Sequence, residues 1–183
     1  MNKSINAEMM VHVALCTSKE PKNVLLLSNE VQPLEAEIQK HMGIEVISKK
    51  VTLNEVRECK DDTFDVVIFD AITSDAALIA HINRILKDDG LVVMKHPSLN
   101  DEVKENKKLI QVLGNYFKII MPYNLGTGST ALLASKEYHP TADLILQRSD
   151  MLDNLNVYNC DLHIGSFAMP NYIRKEYLGV IKN

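Results

Sequence analysis

NVLLLSNEVQPLEAEIQKHMG, residues 23–43, sets the expectation for the fold. Its first five residues are a short, continuously apolar run of the kind buried on both faces of a parallel sheet. A helical pattern follows over VQPLEAEIQKHMG (31–43), with Pro33 in the first turn and Gly43 at the stop. A buried strand feeding directly into a helix is how a nucleotide-binding α/β domain opens. Such domains place glycines in the connecting turn, where backbone amides approach a ligand closely. Here the turn is Ser28, Asn29 and Glu30, with no glycine before Gly43.

The same alternation runs outward from this stretch. Met9, Val13 and Cys16 fall at helical spacing, so residues 5–17 read as a helix ended before Pro21. IEVIS (44–48), DVVIFD (65–70) and LVVMK (91–95) read as strands. SDAALIAHINRILKDDG (74–90) reads as a helix with Ser74 at the N-cap, and DEVKENKKLIQVLGN (101–115) as another. FKIIM (117–121) and STALLAS (129–135) predict a terminal hairpin, and helical segments around 141–151 and 170–178 close the chain. The pattern predicts an α/β, Rossmann-like domain of the S-adenosylmethionine-methyltransferase type, a mostly parallel sheet ending in an antiparallel hairpin. Ligands of such sheets sit beyond the carboxyl ends of the strands, which points to 28–31, 48–50, 70–75 and 95–97.

Composition narrows the function classes. A chain of 183 residues suits one domain over 1–183. The net charge of −4 gives no electrostatic reason to expect nucleic acid or an anionic membrane surface. Cys16, Cys59 and Cys160 are far apart and odd in number, which fits a reducing cytosol, not a disulfide framework or zinc ribbon. The N-terminal stretch is too polar for a signal peptide, and no apolar run approaches the roughly 18 residues of a membrane span. A cytoplasmic protein with no nucleic-acid or membrane partner is expected. The six histidines show no metal-ligand spacing, so no metal is expected.

Three stretches carry a family resemblance. EMMVHVALCTSKEPKNVLLL (8–27) resembles E-M-L-x-H-x-x-L-x-x-x-x-x-P-x-x-V-L of spermidine synthases through Glu8, Met9, His12, Leu15, Pro21, Val24 and Leu25. MPYNLGTGSTALLASK (121–136) is similar to the V-P-T-Y-P-x-G-x-x-G-F-x-L-x-S-K hairpin of that family. VYNCDLHIGSFAMP (157–170) resembles its Y-Y-N-x-x-x-H-x-x-A-F-x-L-P signature through Tyr158, Asn159, His163, Phe167 and Pro170. The resemblance implies transfer of an aminopropyl group from decarboxylated S-adenosylmethionine, as co-substrate and not as a tightly bound cofactor, to an amine such as putrescine. The partners it implies are a small-molecule amine and an adenosyl ligand. That family also carries an N-terminal β domain, for which this sequence has no room before Glu8. A homodimer, if formed, is then expected to use sheet-edge or helix surfaces.

The site residues follow from the resemblance, each beside a plainer reading. FDAITSD (69–75) stands at the family's D-S-[ST]-D loop, so Asp70 matches the carboxylate that acts on the attacking amine; otherwise it simply ends a strand. Asp75 lies five residues on where the family spacing is three, and reads either as the second, substrate-binding acid or as a first-turn helix acid. Tyr123 sits one place early relative to the family's Thr-Tyr and is expected to line an amine pocket or to be a half-exposed loop tyrosine. Ser28, Asn29, Glu30, Val31 and Gln32 stand in place of the family's G-G-G-D-G; Ser28, Asn29 and Glu30 are then the cofactor-loop residues, where side chains are expected to crowd the ligand. The second strand ends in Ser48, Lys49 and Lys50 without the ribose-binding acid, and Asp61 and Asp62 read as a polar turn in place of adenine recognition. Two expectations stand: an aminopropyltransferase of reduced or lost activity, and a non-catalytic homologue serving as a binding or assembly module.

Overall fold

The computed structural model describes residues 2–183. Helix α1 (Asn2–Thr17) precedes β1 (Asn23–Leu27), α2 (Val31–Ile38), β2 (Glu45–Lys49), α3 (Leu53–Arg57), β3 (Phe64–Phe69), α4 (Ala76–Ile85) and β4 (Leu86–His96). Then come α5 (Val103–Leu113), β5 (Ile119–Asn124), β6 (Thr130–Ser135), α6 (Leu146–Asp150), α7 (Cys160–Ser166) and α8 (Asn171–Glu176). The sheet order is β2-β1-β3-β4-β6-β5. Strands β2, β1, β3 and β4 are mutually parallel, and β6 runs antiparallel to both β4 and β5. The α/β architecture with a terminal hairpin is the one the sequence predicts. In the hairpin turn Gly126 and Gly128 take φ of 80° and 83°, a region open to glycine without steric cost.

Pleating divides the apolar runs between two cores. Val24, Leu26, Val66, Ile68 and Val93 face a layer built on α1 and α2, whereas Leu25, Leu27, Val67, Phe69 and Val92 face α4 and α5. This two-sided burial is why these strands read as unbroken hydrophobic runs. Helix α1 is buried on every side over residues 7–17, where its sequence is apolar apart from Glu8, His12 and Thr17. The outer edge of β5 is covered by the C-terminal segment, where Ile120 and Lys182 exchange backbone hydrogen bonds of 2.7 and 3.1 Å.

Several boundaries differ from the sequence reading. Helix α2 stops at Ile38, because Lys40 N–H and His41 N–H bond back only three residues, to Glu37 and Ile38. Helix α4 starts after Asp75, not Ser74, and ends at Ile85. Leu86 is already extended and buried, and opposite it β3 and β4 lose register between Phe64 and Val66. The Lys136 ammonium donates to the carbonyls of Asn83 and Leu86 at 3.0 and 2.9 Å, which satisfies that helix end. The short helices α3 and α7 have too few residues to show a period.

The resemblance motifs at the two ends of the chain meet in space. The Glu8 carboxylate is fully buried and accepts from the amides of Asn156, Val157 and Tyr158 at 2.8–3.1 Å, and from the Asn156 side chain at 3.0 Å. Burial by itself would raise its pKa, but these donors outweigh it and hold the carboxyl below its ordinary value. Asn159 caps α7 by accepting from Leu162 N–H at 2.7 Å. His163 donates from Nε2 to the Pro140 carbonyl (2.9 Å) and accepts at Nδ1 from the Tyr158 hydroxyl (2.8 Å). His12 Nε2 lies 2.9 Å from Glu37, and His12 Nδ1 lies 2.9 Å from His41 Nε2. These signature side chains are packing and hydrogen-bonding elements of the core.

Glu8→Ala leaves the three amides without their acceptor, and we expect it to cost roughly 3 kcal/mol in urea unfolding; a loss below about 0.5 kcal/mol would contradict the clamp. Burial lowers the His163 pKa from 6.5 to about 4 and that of His41 from 6.5 to about 3. Their unfolded forms therefore take up protons first, so stability is complete above pH 6.5 and falls as pH drops toward 4. A Tm that declines by several degrees over this interval is expected, and a flat profile there would exclude it.

Candidate active site at the strand ends

The carboxyl ends of β1, β3 and β4 converge on a cavity of about 290 Å³. Its walls are Asn6, Ala7 and Met10 of α1, Asn29 and Glu30 of the loop after β1, Pro33 and Leu34 of α2, and Asp70 and Lys95. Each wall follows from chain direction: Asp70 is the first residue beyond β3, its N–H donating to Leu27 O at 2.8 Å, and Lys95 is the penultimate residue of β4.

Asp70 is held at both carboxylate oxygens. Its Oδ2 accepts from the Ser28 hydroxyl at 2.8 Å, and its Oδ1 lies 2.5 Å from the Lys95 ammonium. The Ser28 oxygen in turn accepts from Glu30 N–H at 2.9 Å. Ser28 is buried and points to Asp70, so it does not form part of the cavity wall. Of residues 28–30, only Asn29 and Glu30 line the cavity. The sequence points to 95–97 as a ligand-facing strand end, but nothing local in it shows that Lys95 reaches Asp70, because their strands pair only in the sheet.

A second cavity of about 420 Å³ shares Asn6 and Lys95 with the first and continues past His96 to the hairpin turn at Gly128. His96 donates from Nδ1 to the Pro97 carbonyl at 2.7 Å, while its buried Nε2 has no partner among the described residues. Burial lowers its pKa. Pockets for small ligands typically span about 300–1,000 Å³, so both cavities are of small-molecule size.

Other predicted residues lie elsewhere. Asp75 is exposed and caps α4, accepting from the amides of Ala77 and Leu78 at 2.8 and 3.3 Å; it does not line the cavity. Tyr123 is not half-exposed, and it lines neither of the two cavities at the strand ends. It lies in β5 at 2% exposure, its hydroxyl donating to Met9 O at 3.4 Å and its ring packed 4.9 Å from Phe167. Burial pushes its pKa up. The alternation of the hairpin turns it inward, which a loop reading of 122–124 conceals. At the end of β2, Ser48 donates to Glu35 and Lys49 donates to Glu55 at 2.7 Å. Asp61 pairs with Arg84 in the turn before β3, at the opposite end of the sheet from the cavity. A larger hollow, about 610 Å³, also lies at that opposite end, around Pro21, His41 and Arg148.

No family model matches the chain. It is 28% identical over 200 residues to the polyamine aminopropyltransferase of Helicobacter acinonychis, covering 93% of this chain and 76% of that protein. Among solved structures, it superposes with a TM-score of 0.81 on spermidine synthase from Thermotoga maritima, at 21% identity over 97% of this chain and 75% of the other. A spermidine synthase in complex with the transition-state analogue AdoDATO gives the same TM-score at 20% identity, over 94% of this chain and 75% of the other. The structural likenesses establish the fold.

Asp75→Ala removes only a helix cap here. A loss of about 1 kcal/mol in unfolding free energy is expected, with the calorimetric affinity for methylthioadenosine unchanged; a large loss of affinity would place Asp75 in the site after all.

Proposed function

From the premise that the chain belongs to the spermidine synthase family, as its relatives and fold indicate, we propose that it is an aminopropyltransferase-type protein of reduced turnover. Decarboxylated S-adenosylmethionine is the donor and a small amine the acceptor. The observation that carries this reading is Asp70 at the carboxyl end of β3, on the wall of a cavity between α1 and the loop after β1. In the reaction, the amine nitrogen attacks the propyl carbon next to the sulfonium. The carbon–sulfur bond breaks, its electron pair stays on sulfur, and methylthioadenosine leaves. The nitrogen then sheds one proton. Asp70 suits two tasks in this scheme, orienting the amine and accepting that proton. The sulfonium is already an activated leaving group, so no metal is required.

Reduced turnover rests on the loop. Asn29 and Glu30 stand on the wall where a glycine-rich turn would expose backbone. The end of β2 offers Ser48 and Lys49, both already paired. A second reading, a non-catalytic binding or assembly module, is favoured by one observation: both oxygens of Asp70 have internal partners.

Incubation with putrescine and decarboxylated S-adenosylmethionine separates the two. Slow formation of methylthioadenosine, lowered about 100-fold in Asp70→Asn, is the outcome expected. No product at high protein concentration would overturn the transferase reading and leave the module.

A further inference from the structure

We propose that Lys95 is a built-in occupant of the amine position on Asp70 and thereby sets the amine specificity of the site. The inference rests on the reading of Asp70 as the amine-facing carboxylate and goes beyond it.

The geometry has three parts. The Lys95 ammonium stands 2.5 Å from Asp70 Oδ1, at the distance that any ammonium takes on a carboxylate oxygen. The other oxygen, Oδ2, already accepts from Ser28, whose own oxygen accepts from Glu30 N–H. An incoming ammonium therefore meets a carboxylate whose charge is compensated and whose two oxygens each already accept from a donor. Lys95 also stands where the two cavities at the strand ends meet, sharing with Asn6 the boundary between them. A molecule passing from the hairpin side toward Asp70 encounters the ammonium first.

The energetics favour the internal partner. Lys95 is tethered on the strand next to the one that leads to Asp70, so it competes at a high effective concentration. The Asp70 side chain is 15% exposed and that of Lys95 37%, so water screens the ammonium end of the pair while the carboxylate end is sheltered. A free diamine must displace Lys95 and then remain beside a second positive charge, a like-charge juxtaposition that works against binding. An amine arriving uncharged avoids that repulsion. A lysine thus converts an acid that would attract dications into one that binds them poorly, while leaving the cavity in place.

The test is calorimetric titration of putrescine, without any adenosyl ligand, into the wild-type chain, Lys95→Gln, Lys95→Met, Lys95→Arg and the double variant Lys95→Gln/Asp70→Asn. Thermal melting checks that each is folded. Lys95→Gln and Lys95→Met are expected to bind at least about tenfold more tightly than wild type. Lys95→Arg keeps the charge and should stay near wild type, and the double variant should lose the gain. Equal or weaker binding by folded Lys95→Gln and Lys95→Met would overturn the proposal, as would tightening in Lys95→Arg. Because no transfer is measured, absence of methylthioadenosine in the activity assay defeats the transferase reading without touching this result.

Discussion

A buried carboxylate near the middle of the first helix joins the two ends of this chain. Glu8 gives up its hydration, and the amides of Asn156, Val157 and Tyr158 replace that water with fixed donors. An anion in an apolar interior is tolerated only when its lone pairs are met in this way. Because the donors belong to a segment nearly the whole chain away in sequence, the contact forms only when α1 lies under the sheet and the C-terminal segment lies over α1. The histidine and tyrosine contacts of the same layer, His12 with His41 and Tyr158 with His163, then close around it.

This constraint also builds the site. The turn of α1 that carries Glu8 carries Asn6, Ala7 and Met10 on the wall facing the strand ends. A parallel sheet leaves its strand carboxyl ends on one side, so the residues after β1 and β3 and near the end of β4 are brought together without being near in sequence. Placement and chemistry pull in different directions here. Asp70 stands where a carboxylate can meet a ligand, yet Ser28 and Lys95 already answer its charge. Of the residues that stand in place of glycines, Ser28 turns away to support Asp70, and Asn29 and Glu30 occupy the wall.

Much of the fold was legible because burial on both faces leaves an unmistakable apolar run, as in NVLLL and DVVIF. The hairpin followed from two such runs across a short glycine-containing turn. Boundaries were less legible where tertiary contacts overrode local pattern. Leu86 looks like the continuation of a helix, but it is drawn out as strand because its side chain completes the core beside Phe64. Tyr123 looks like a loop residue, and cross-strand pairing with Ala131 turns it into the core.

By itself the sequence determined the alternation of strand and helix, the terminal hairpin, the family resemblance and the strand end on which Asp70 sits, since these depend on periodicity and on residue type at fixed spacing. Only the tertiary structure decided that Asp75 is a helix cap, that Tyr123 is buried, that Ser28 supports Asp70 and that Lys95 pairs with it. Those facts are contacts between residues on different elements, and their energies depend on distance and burial that no local pattern encodes.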